Sequence, residues 1–204
     1  MNAEETHFST VLRRLTTATL LLVLCLAGAA CRRAHDPEET LLIAWKLCEA
    51  LHYEEAYPLI VENLQKNPDD AVAHYLLGRC FFTQKPPQLT RAKGEYDQAR
   101  QILEDSGNMS ILDGKMTPDE FRATLHCDTA LTLLQTVVEA EKAGMPPRAA
   151  LGVLKTACHH VEEGLHYNPG SSFLQDLNQT LQHMLRFMES PEVTPEKETQ
   201  PFFI

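Results

Sequence analysis

Six side chains able to bind a metal or move protons fall in two short stretches, His126-Cys127 and Cys158-His159-His160 with Glu163. His159 and Glu163 stand one helical turn apart, and a helix carrying His126 and Cys127 could lie beside theirs. Structural zinc sites declare themselves by CxxC-type pairs, a spacing this chain lacks. The expectation is therefore surface histidines and small buried thiols, with no metal and no cofactor; a metal-binding domain or enzyme centred on Cys158, His159 and His160 is the alternative. The chain also contains no GxSxG, HExxH, phosphate-loop or dinucleotide pattern. Carboxylate pairs such as Glu54-Glu55, Asp69-Asp70 and Glu162-Glu163 fall at helix starts or on solvated faces, where capping and solubility explain them. No residue is assigned a catalytic role, and the chain is read as a non-enzyme.

The elements that would position these groups are helical. In 204 residues the hydrophobic share is 44% and the aromatic share only 7%, while Ala, Leu, Glu and Gln recur, which favours helix over sheet. The predicted elements start at Asp36-Pro37-Glu38-Glu39, at about Glu54, at Asp70 and at the capping box Thr117-Pro118-Asp119-Glu120. Further helices open at Pro146-Pro147 and about Ser172, the last running to Met188. Between them, residues 105–116 with Asp113-Gly114 read as a loop or small hairpin. A formal charge of -10 repels phosphate backbones, so DNA and RNA are excluded as ligands.

Residues 1–30 read as an export signal: Arg13-Arg14 precedes an uncharged apolar run that ends in Gly28-Ala29-Ala30-Cys31. This ending resembles the bacterial lipobox, and the resemblance implies lipidation of Cys31 and cleavage before it. Residues 31–35 would then form a lipidated tether, with the membrane reached through the acylated N-terminus. Arg33 rather than an aspartate after the cysteine implies, by the same resemblance, the outer membrane facing the periplasm.

Tyr53-Glu-Glu-Ala56-x3-Ile60-x3-Leu64-x3-Pro68, followed by His74-x2-Leu77-Gly78-x2-Phe81, resembles the tetratricopeptide repeat, a family of helix pairs about 34 residues long. Ala44, Ala56 and Gly78 are small where helix axes must approach closely. Ala92, Tyr96 and Ala99 repeat the second-helix pattern, and Ala157 with Asn168-Pro169 echoes the close at Asn67-Pro68. The resemblance implies an all-α right-handed solenoid of antiparallel helix pairs over residues 36–188, with the last helix as its cap. In this family the inner face of the first helices lines a concave groove. On this chain that face carries Leu41, Trp45, Cys48, Tyr75, Arg79 and Phe82, of which the Trp, Tyr and Arg types often carry binding energy. The competing reading makes Trp45 and Phe82 core residues of a short stack.

The implied role is a scaffold lipoprotein of the bacterial cell envelope that binds other proteins, in the assembly of a pilus, secretion or outer-membrane complex. In an oxidising compartment Cys48, Cys80, Cys127 and Cys158 allow three pairings into two disulfides, Cys48 with Cys80 being the better placed, or they stay buried thiols. Residues 189–204 are polar, acidic and Pro-rich and read as a disordered tail ending in Pro201-Phe-Phe-Ile204.

Overall fold

The computed structural model describes residues 36–106, 112, 115–144 and 147–190. These form seven α-helices: α1 (Pro37–Glu49), α2 (Tyr53–Lys66), α3 (Ala71–Thr83), α4 (Leu89–Ser106), α5 (Pro118–Lys142), α6 (Pro147–Tyr167) and α7 (Ser172–Met188). No strand occurs among the described residues, so the fold is all-α. Residues 107–111 and 113–114 of the expected loop lie outside the described residues; Leu112 within it is buried, and α4 runs into its start as far as Ser106. The export segment, Cys31 and the tail beyond Ser190 also lie outside them.

Local chemistry sets the helix ends. The Asp70 side chain accepts from Ala73 N at 3.0 Å, opening α3. At α5 the Thr117 hydroxyl accepts from Glu120 N at 3.2 Å while the Glu120 carboxylate accepts from Thr117 N at 2.7 Å. Ser171 accepts from Leu174 N and opens α7, and Gly144, at φ +80°, follows the end of α5. The close of α1 is unusual. Leu51 sits at φ +64° and is 70% exposed, in a turn where His52 N donates to Leu47 O and Leu51 N to Cys48 O. That is the hydrogen-bonding of a Schellman cap, with leucine in the position that glycine normally fills.

Each helix packs on the next in sequence, and α1 also meets α3. On α1 the residues Leu41, Ala44, Trp45 and Cys48 form one buried stripe at helical spacing. Asn63 Nδ2 near the end of α2 donates to Pro37 O at 2.9 Å, which puts the end of α2 beside the start of α1, so the two run in opposite directions. Apolar on nearly every side, α3 is the most enclosed of the early helices. Ala44, Ala56, Ala92 and Ala99 have no exposed surface. At Gly78 a Cβ would lie 2.5 Å from Tyr96 Cε1, so the α4 tyrosine lies flat against the α3 backbone. Ala56 and Gly78 thus face neighbouring helices and not water. Ile60, Leu77, Phe81, Tyr96 and Ala157 are likewise buried, whereas Pro68 and Pro169 are exposed in the turns after α2 and α6.

The core divides in two. One cluster gathers α1 to α4 with Leu112, Phe121 and Leu125; the other joins Ala123, Ala130, Leu133 and Val137 of α5 to α6 and α7. No described helix is long and apolar enough to cross a membrane.

Candidate functional site

The residues expected to line a groove part company in the structure. Leu41 and Cys48 are 1% and 0% exposed, and Trp45 and Tyr75 are also buried in the first core cluster. The Tyr75 ring lies 5.3 Å from Phe121, edge to face, and 6.0 Å from both Trp45 and Tyr96. As the structure stands, these four are packing residues. Arg79 and Phe82 do reach an opening: with Tyr53, Thr83, Tyr96, Asp128 and Leu131 they line a cleft of about 210 Å³.

Four helices build this cleft. Tyr53 begins α2, Arg79, Phe82 and Thr83 come from the last turn and a half of α3, Tyr96 from α4, and Asp128 and Leu131 from α5. Arg79 Nη2 donates to the Tyr53 hydroxyl at 2.9 Å, and its guanidinium carbon stands 5.7 Å from the Tyr53 ring centre and 6.0 Å from that of Tyr75. A planar cation held against aromatic faces is fixed in orientation at little entropic cost. Burial alone would lower the Arg79 pKa, but Tyr75, Tyr53 and Asp128 around it hold the guanidinium charged beyond its usual range. In the same lining, burial pushes the Asp128 carboxyl up, against the pull of Arg79 and of a hydrogen bond from the Tyr75 hydroxyl. Tyr75 is in turn raised well above a free phenol, first by burial and then by the charge of Asp128. The cleft therefore combines a guanidinium donor, a carboxylate and aromatic side chains in one lining, which suits a polypeptide's amide groups and one inserted side chain. The sequence reading missed Asp128, a carboxylate inside a long helix, although it directly follows the His126-Cys127 pair singled out there.

The second cluster of expected chemistry takes a different shape. His126 and His160 are buried with their Nδ1 atoms 3.2 Å apart, so one ring donates to the other, and the His126 ring stacks on Tyr167. Both histidines are pushed down to about 4, by burial first and then by the positive side chains around them. They are neutral over the physiological range. His159 is exposed, Cys158 is buried in the second core cluster, and Cys127 is partly buried with its thiol raised to about 12 by burial. Among the described residues no group of three or more His, Cys, Asp or Glu side chains could hold a metal ion. Cys48 and Cys80, by contrast, are brought into side-chain contact, both as free thiols.

His74 is tied at both ring nitrogens: Nε2 to Pro68 O at 2.9 Å and Nδ1 to the Glu95 carboxylate at 2.7 Å. Two acceptors are both met only when the two ring nitrogens both donate, so this setting favours the charged ring. Burial opposes the charge, but the bonds to Glu95 and Pro68 raise its pKa overall.

No protein-family model and no curated protein matches this chain.

Proposed function

We propose that this chain is a lipid-anchored scaffold of the tetratricopeptide type, in which residues 36–188 form a right-handed solenoid of helix pairs capped by α7 and bind a segment of another protein in the Arg79–Asp128 cleft. The repeat reading is supported by the nesting of Gly78 on Tyr96 and by the complete burial of Ala44, Ala56, Ala92 and Ala99, each small where neighbouring helices meet. The observation that carries the binding role is the cleft itself. A guanidinium and a carboxylate share its lining with Tyr53, Phe82 and Tyr96, and Arg and Tyr are side-chain types that carry binding energy at protein interfaces.

The address rests on the resemblance of Gly28-Ala29-Ala30-Cys31 to a lipobox: acylation of Cys31, export, and residence at the outer membrane facing the periplasm. The partners are then proteins of the cell envelope, in the assembly of a pilus, secretion or outer-membrane complex, with no role for nucleic acid and no bond chemistry.

A photoreactive side chain placed at Phe82 is expected to capture one dominant protein in native membranes, while the same probe at Gln65, exposed on α2, captures a diffuse background. Equal labelling from the two positions would remove the cleft from consideration. Cys31→Ser is expected to abolish fatty-acid labelling and release the protein from the membrane fraction; retention of both would sink the anchoring.

A further inference from the structure

Cys48, in the last turn of α1, and Cys80, near the end of α3, belong to the first core cluster at 0% and 1% exposure. Their side chains meet, and Cys80 Sγ directs its one hydrogen to Tyr53 O, 3.8 Å away. Because α1 and α3 already pack together, drawing the sulfurs to bonding distance asks for side-chain rotation and not for a new helix arrangement. There is also a way in. Cys80 lines a groove of about 1090 Å³ walled by Leu51, Tyr53, Tyr57, Gln84 and Pro86.

We propose that Cys48 and Cys80 are a disulfide site, joined by exchange with a small external disulfide that enters through this groove. In the first step, with the core locally open so that Cys80 gives up its proton to water, the Cys80 thiolate attacks one sulfur of the external disulfide, breaks its S–S bond and releases one thiolate that takes up a proton, leaving a mixed disulfide on Cys80. Cys48 is placed to finish because its side chain already meets that of Cys80 in the packed core, so it reaches the mixed disulfide without a helix having to move. The Cys48 thiolate attacks Cys80 Sγ and expels the second external thiol. Two protein S–H bonds become one S–S bond, the external disulfide is reduced to two thiols, and these carry away both protons.

The bond would tie α1 to α3 across residues 49–79. It would also take the Cys80 hydrogen from the carbonyl of Tyr53, the residue whose hydroxyl orients Arg79 in the cleft.

The test equilibrates the full chain in oxidised or reduced glutathione, in urea below the unfolding transition so that local opening exposes the core. Alkylation, peptide mapping and melting curves after urea removal follow. A Cys48–Cys80 linked peptide that is two hydrogens lighter, with a melting temperature about 5 °C or more above the reduced form, is expected. The doubly substituted Cys127→Ser, Cys158→Ser protein should keep both signals, and Cys48→Ala should lose them. Recovery of Cys48 and Cys80 from oxidised glutathione only as alkylated thiols or separate glutathione adducts would overturn the proposal, as would identical melting in the two buffers.

Discussion

Adding one carbon at Gly78 tests the contact on which the helix stacking depends. The new Cβ of Gly78→Ala would lie 2.5 Å from Tyr96 Cε1, 2.7 Å from Cδ1 and 3.1 Å from Cζ. The ring has little room to retreat: Tyr96 borders the cleft but is only 1% exposed, and Tyr75 stands 6.0 Å away, itself covered by Phe121. Over-packing a closed core costs about 1–3 kcal/mol and the better helix propensity of alanine offsets about 1 kcal/mol of it, so a net loss of about 0–2 kcal/mol is expected. Gly94, on the exposed side of α4 with nothing within 4 Å of its Cβ direction, supplies the control. There the propensity gain acts alone, and Gly94→Ala should stabilise by about 0.5–1 kcal/mol. Urea unfolding followed by helical circular dichroism gives both values. Adding Tyr96→Leu to Gly78→Ala should make the pair less damaging than the two single losses combined, because the clash is removed. If Gly78→Ala gains as much stability as Gly94→Ala, the close approach of α3 and α4 is not what the small residue serves.

Acid should weaken the fold through the buried histidine pair. Their pKa values fall from 6.5 to about 4 on folding, so the unfolded chain takes up protons first, and stability is full above about pH 6.5 and drains away as the pH falls toward 4. Arg100 and His159 bear on both rings and Lys93 on His160, all disfavouring the charged forms; Glu163 favours charge on His126 and Asp97 on His160. With half the ideal linkage value kept for solvent access, the loss between about pH 7 and pH 5 is about 2 kcal/mol. His126→Gln should flatten that slope in urea titrations at stepped pH, and an unchanged slope would clear the pair of the effect. Leu51→Gly relieves a left-handed leucine that is 70% exposed and so forfeits little packing; a gain of about 1 kcal/mol in the same assay is expected, and a loss would show that Leu51 packs on something.

The helix ends were legible because their causes are local. Thr117 and Glu120, Asp70 and Ala73, and Gly144 lie within a few residues of the turns they set, and the small residues stand out by size alone. The site was not legible, for a geometric reason. Trp45 and Tyr75 have the composition of a binding surface and of a core alike, and what separates the two is whether a later helix lands on them. Phe121 of α5, far along the chain, lands on Tyr75 and buries it. The same crossing carries Asp128 to Arg79 and the Tyr75 hydroxyl, a meeting that no spacing within one helix announces. His126 and His160 were visible as a suspicious group, yet only coordinates show two neutral rings bonded to each other.

Helix α5 serves both hydrophobic clusters, giving Phe121 and Leu125 to one and Ala123, Ala130, Leu133 and Val137 to the other. It is a party wall between two rooms, and neither tenant can remove it. A fragment that stops at Ser106 leaves Tyr75 bare, and one that begins at Thr117 leaves half of α5 without neighbours. Such pieces should be sticky and poorly soluble.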